Sequence, residues 1–107
     1  MTNLSASNFD SEVTNFQGLV LVDFWAPWCQ PCLRISPVLE EIANDLKEKT
    51  NFKIVKLNTD DEMELSQKFQ IMSIPNMKFF KNGQVVGEIV GVMPKEVILE
   101  KINSLLV

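Results

Sequence analysis

Apolar positions along the chain first recur at a helical spacing. Phe9, Val13 and Phe16 stand at i, i+4 and i+7, and Ser7 with Asp10 three residues on supplies a capping start, so a first helix is expected, ended by Gly18. The period then changes. Leu19-Val20-Leu21-Val22-Asp23-Phe24-Trp25-Ala26 is apolar on both faces, as a central strand covered from two sides would be. Pro27 to Cys32 breaks that strand, and Ile35, Val38, Leu39, Ile42, Ala43 and Leu46 form a helical stripe through about Lys49. Phe52 to Asn58 returns as a strand, and Thr59 with Glu62 makes a capping-box start for a short helix carrying Met63, Leu65 and Phe69. Beyond Pro75, Met77 to Lys81 and Val85 to Val90 are short strands joined by Asn82-Gly83, a dipeptide whose residues both tolerate the positive φ of a tight hairpin. Pro94 suits the first turn of a last helix, in which Ile98, Ile102 and Leu105 repeat at i, i+4 and i+7.

Strand-helix-strand order followed by a hairpin predicts an α/β fold with a mixed sheet covered on both faces. At 107 residues, the chain is sized for a single domain, residues 1–107, and no Gly-, Ser- or Pro-rich linker divides it. Its apolar share of 46% and charged share of 22% are those of ordinary globular proteins, which disfavours a disordered or fibrous chain. No apolar run approaches the roughly 18 residues of a membrane span, and the first residues show no basic segment followed by an apolar stretch. A cytoplasmic location with no membrane partner is therefore expected. A net charge of −4 speaks against nucleic acid, whose binders cluster positive charge.

Composition sharpens the chemistry through an asymmetry: two cysteines, Cys29 and Cys32, stand with two residues between them in a chain with no histidine and no tyrosine. Ser-His-Asp and Cys-His catalysis are excluded for want of an imidazole. Four explanations of the Cys-x-x-Cys pair compete. A zinc site needs four ligands, and one chain supplies two, so no metal is expected. A staple closing about four residues is worth roughly 2 kcal/mol, against roughly 4.7 for a loop of 100 residues, and constrains little. Two inert buried thiols remain open, but Cys-x-x-Cys beside a βαβ pattern is specifically the pattern of a dithiol/disulfide redox centre. Pro31 suits a first helical turn, which sets Cys29 at the helix N-terminus and Cys32 inside it. Unpaired N–H groups and the positive end of the helix dipole then favour a thiolate at Cys29. Cys29 is the expected attacker and Cys32 the expected resolver, with no bound cofactor.

Trp25-Ala26-Pro27-Trp28-Cys29-Gln30-Pro31-Cys32, with Val22-Asp23-Phe24, Pro37, Ile74-Pro75, Asn82-Gly83 and Gly91, resembles the thioredoxin family along essentially the whole chain. The resemblance implies a central mixed sheet of about five strands flanked by about four helices. It also implies reduction of protein disulfides, with electrons from NADPH through thioredoxin reductase, in a protein expected to be a monomer. Asp23, which residue chemistry alone would place at an edge or beside a lysine, becomes by resemblance a buried acid behind the resolving cysteine, with Lys56 as its charge neighbour. Pro75 becomes a cis proline facing the cysteines, and Ser73, Ile74, Pro75, Gly91 and Val92 line a substrate groove with Trp28. Trp25 is assigned to packing.

The chain departs from the family pattern in places. Gln30 stands where glycine is usual, Leu33 where lysine is frequent with Arg34 following, and Asn76 where threonine is usual. Gln30 is expected to alter partner selection and, modestly, redox potential. Two other functions remain on the table: a disulfide oxidase or isomerase of an exported compartment, and a non-catalytic interaction module built on the same fold.

Overall fold

The computed structural model describes residues 1–106. Its sheet has five strands in the order β1-β3-β2-β4-β5, namely β1 (Thr2–Asn3), β2 (Leu19–Trp25), β3 (Phe52–Asn58), β4 (Asn76–Lys81) and β5 (Gln84–Val90). β1 and β2 both pair in parallel with β3, whereas β4 runs antiparallel to β2 and β5 antiparallel to β4. This is the mixed sheet expected. Three α-helices, α1 (Gln30–Asp45), α2 (Met63–Lys68) and α3 (Lys95–Leu106), and one wide helical turn at Asp10–Thr14 cover it. No helix among the described residues is long and apolar enough to cross a membrane.

The apolar strand β2 explains the layering. Leu19 and Leu21 point to one face and pack with Ile35, Leu39 and Ile42 of α1 and Ile98 and Ile102 of α3. Val20, Val22 and Phe24 point to the other and pack with Phe9, Val13 and Phe80. Residues 19 to 24 are fully buried, which is why both faces of this strand had to be apolar. On the second face, aromatic rings interlock, with Phe69 stacked on Phe9 at 5.4 Å and edge-on to Phe80 at 5.2 Å. Lys78, also buried, is paired with Glu88 across the β4-β5 hairpin at 2.8 Å.

Several boundaries differ from expectation for local reasons. The first helix is reduced to the turn at Asp10–Thr14, closed by the Asn15 N–H on the Asp10 carbonyl at 2.8 Å. Ser7 does not cap it. The Ser7 hydroxyl meets that of Ser5, while Asp10 accepts a bond from the Thr14 hydroxyl instead of reaching back. The Thr59 and Glu62 capping box does not form either. α2 begins at Met63 without a side-chain cap, because the Thr59 hydroxyl donates to the Trp25 carbonyl and Glu62 Oε1 accepts the Ala6 N–H. α1 stops at Asp45, short of Lys49, and Leu46 onward continues as turns. Ala26 leaves β2 to accept the Cys29 N–H at 3.1 Å. Pro94 lies just ahead of α3, its carbonyl accepting from Val97 and Ile98. β1 has no expected counterpart in the apolar pattern. The hairpin is as expected, with φ of 53° at Asn82 and 79° at Gly83.

Candidate active site

The end of β2 delivers the chain into a turn and then into α1, and both cysteines lie at this junction. Cys29 is the N-cap residue of α1, in extended conformation with φ −88° and ψ 105°, and proline occupies the first turn. The Cys32 N–H donates to Cys29 Sγ at 3.2 Å. A sulfur thus does what a serine or aspartate oxygen does at an ordinary helix start, which is to accept one of the first unpaired N–H groups. The two cysteines form a disulfide with Cα atoms 5.2 Å apart. Both are buried and cluster with Ala26, with Trp25 and Ile74 packed against them. Gln30 is exposed at the first helical position, and Pro31 beside it is partly covered.

Strand alternation carries Asp23 and Trp25 to the same side as Leu19 and Leu21, the side covered by α1. Asp23 is fully buried, and among the described residues neither carboxylate oxygen has a hydrogen-bond partner. Burial without a partner disfavours the anion and pushes the carboxyl up to about 7, against a smaller opposing pull from the Lys56 charge. Lys56 is the residue registered beside Asp23 on β3. Its ammonium stands over the Trp25 ring, 4.1 Å from the centroid, so its influence on Asp23 is through space.

A second wall comes from the segment before β4. The Ile74-Pro75 peptide is cis, and the Ile74 carbonyl oxygen lies 3.8 Å from Cys29 Sγ. The Gly91 N–H donates to the Pro75 carbonyl at 2.8 Å, which fastens the end of β5 to the same spot. Gly91 has φ of +90°, and among the described residues a side chain there would meet nothing within 4 Å, so the space above it is open. Ser73 and Val92 are exposed on either side of this joint. The structure thereby brings Cys29, Ile74, Pro75 and Gly91 together.

Trp28 stands on the surface, 66% exposed, and its indole N–H donates to the Asp60 carboxylate at 3.0 Å. Asp60 was not among the residues singled out in the sequence. One acid within the run Asp60-Asp61-Glu62 carries no periodic signal, and only the folding of the loop after β3 against the Cys turn reveals it. The arrangement provides a helix-capped sulfur, a second sulfur in disulfide reach, a buried proton-holding carboxyl and an open surface beside them. These are the requirements of dithiol/disulfide exchange.

Comparison with known proteins agrees with that chemistry. The thioredoxin family model matches residues 1–104. Over 104 residues the chain is 44% identical to a thioredoxin of Staphylococcus saprophyticus, covering 97% of this chain and 96% of the relative. It is 44% identical over 97 residues to the thioredoxin of Bacillus subtilis, covering 91% of this chain and 89% of the relative. It is 39% identical over 104 residues to a thioredoxin of Pyropia yezoensis, covering 97% and 95%. With the match running through the cysteine turn and nearly end to end, the chain belongs to the thioredoxin family and is a thiol-disulfide oxidoreductase.

Proposed function

We propose that this protein reduces disulfides of other proteins in the cytoplasm, acting as a monomer, with Cys29 attacking and Cys32 resolving. The Cys29 thiolate attacks one sulfur of the substrate disulfide. That S–S bond breaks, a bond from Cys29 to the substrate forms, and the electron pair leaves on the second substrate sulfur, which takes up a proton. Cys32 gives its proton to the Asp23 carboxylate and attacks Cys29 Sγ. The mixed disulfide breaks, the substrate departs as a dithiol after protonation, and the Cys29-Cys32 disulfide closes. Two electrons have passed to the substrate without a bound cofactor. They are restored from NADPH by a thioredoxin reductase.

The observation that carries this assignment is the Cys32 N–H donated to Cys29 Sγ at the start of α1. A donor aimed at one sulfur, at the positive end of a helix, favours negative charge on Cys29 over Cys32 and so supports Cys29 as the attacker. Asp23 supports the second step, since a carboxyl near 7 exchanges protons readily at neutral pH. Trp28, Ser73, Ile74, Pro75, Gly91 and Val92 form the surface on which the substrate backbone lies, with Gln30 facing it.

Insulin reduction by dithiothreitol tests the assignment. The wild-type protein accelerates it, Cys29→Ser does not, and Cys32→Ser accumulates a covalent adduct detectable by mass. Wild-type turnover no faster than that of Cys29→Ser sinks the proposal. Reduction by NADPH that depends on added thioredoxin reductase checks the electron supply.

A further inference from the structure

The segment between α2 and β4 contains a feature that the exchange reaction does not use. Gln70 takes φ of 55°, and behind it the Ile71 N–H bonds the Ser66 carbonyl while the Gln70 N–H bonds the Gln67 carbonyl, both at 3.0 Å. This paired closure ends the helix and turns the chain sharply outward. Ile71 then packs against the aromatic cluster, and Ile74 packs against both that cluster and the cysteines. Two inward isoleucines pin the segment at both ends, which forces Met72 and Ser73 to the outside. Met72 is 93% exposed, more than any other large apolar side chain among the described residues. It stands two residues from the carbonyl that lies 3.8 Å from Cys29 Sγ.

A single exposed apolar residue on a surface is ordinary. This one differs because its backbone is anchored on the aromatic cluster at Ile71 and beside the reactive sulfur at Ile74, while its side chain is left in water. Methionine is unbranched and polarizable, and adapts to irregular apolar shapes. We infer that Met72 is a specificity-determining residue, an adaptable apolar arm that covers an apolar side chain next to the target cysteine of a protein disulfide. The inference rests on the proposed function and extends it from the bond that is broken to the sequence around that bond. Met72 touches neither sulfur and takes no part in the exchange. Its contribution is confined to substrates that present an apolar neighbour, and a small disulfide, which presents none, is indifferent to it.

The test uses the reduced protein in single-turnover reactions with three probes: a disulfide-linked peptide with leucine beside the cysteine, the same peptide with serine there, and 2-hydroxyethyl disulfide. Met72→Gln keeps the length of the side chain and removes its apolar character. It is expected to slow the leucine peptide about tenfold, a loss of about 1.4 kcal/mol, while leaving the serine peptide, the small disulfide and the reduction potential unchanged. Met72→Leu is expected to restore the leucine peptide to near the wild-type rate. An equal change on all three probes, or no change on the leucine peptide, overturns the inference. Wild-type protein inert toward all three probes sinks the proposed function, and the inference falls with it.

Discussion

Asp23 is the residue whose behaviour departs furthest from its type. With a folded-state value of about 7 against an ordinary 3.8, it keeps its proton in the folded protein where the unfolded chain has lost it. The unfolded chain therefore binds fewer protons between these values, and stability falls as pH rises from about 4 to about 7, then levels. At roughly 1.4 kcal/mol per pH unit the cost reaches about 4 kcal/mol at its ceiling. Asp23→Ala is expected to stabilise the oxidised protein by up to that amount at pH 8 and by little at pH 4, measured by urea unfolding. A difference that does not vary with pH refutes it. If Asp23 takes the Cys32 proton as proposed, the same substitution slows resolution of the mixed disulfide on the order of 10²-fold, at the low end for general-base catalysis. Resolution also loses its inflection near pH 7. Lys56→Met, by removing the opposing charge, moves that inflection upward. The sequence exposed Asp23 as an anomaly, one acid in an apolar strand, but its missing hydrogen-bond partners depend on what α1 lays over it.

Elements announce themselves in sequence to the extent that their interior is apolar. β2 buries nearly all it carries and α1 buries one stripe, Cys32, Ile35, Leu39 and Ile42, and their patterns placed them within a few residues. The start of α2 did not follow its capping residues, because Thr59 and Glu62 found partners on other elements, at Trp25 and Ala6. Local capping signals lose to tertiary hydrogen bonds when the latter satisfy buried or inter-loop groups. The end of α2 is closed by Gln70 in a left-handed conformation that glycine adopts more easily. Gln70→Gly is expected to stabilise the protein by about 0.5–1 kcal/mol, the left-handed cost less glycine's extra chain entropy, read as a rise of a few degrees in Tm. Gly18 is the opposite case. A Cβ there would stand 2.3 Å from the Asn51 carbonyl oxygen at the joint that aligns β2 with β3. Gly18→Ala is expected to cost about 2–3 kcal/mol, and an unchanged denaturation midpoint contradicts that.

Across the whole molecule the site draws on positions far apart in sequence: the β2-α1 turn, the Asp60 loop, the Ile74-Pro75 segment and Gly91. Sequence displayed the first of these through its cysteines. Ile74-Pro75 and Gly91 entered through family resemblance, since a dipeptide and a glycine have no chemistry of their own until a fold sets them beside a sulfur. β1 escaped because two residues paired to β3 form no hydrophobic period. The disulfide at the centre closes a short loop, and its chain-entropy value predicts that the reduced protein is less stable by about 2 kcal/mol. Paired urea titrations with and without dithiothreitol check this, and coincident curves refute it. The chain has two tryptophans and no tyrosine, with Trp25 packed on the cysteine cluster and Trp28 next to Cys29 in the chain. Light emitted on indole excitation therefore originates entirely beside the cysteine pair, and its intensity is expected to change when dithiothreitol opens the disulfide, an optical readout that needs no attached dye.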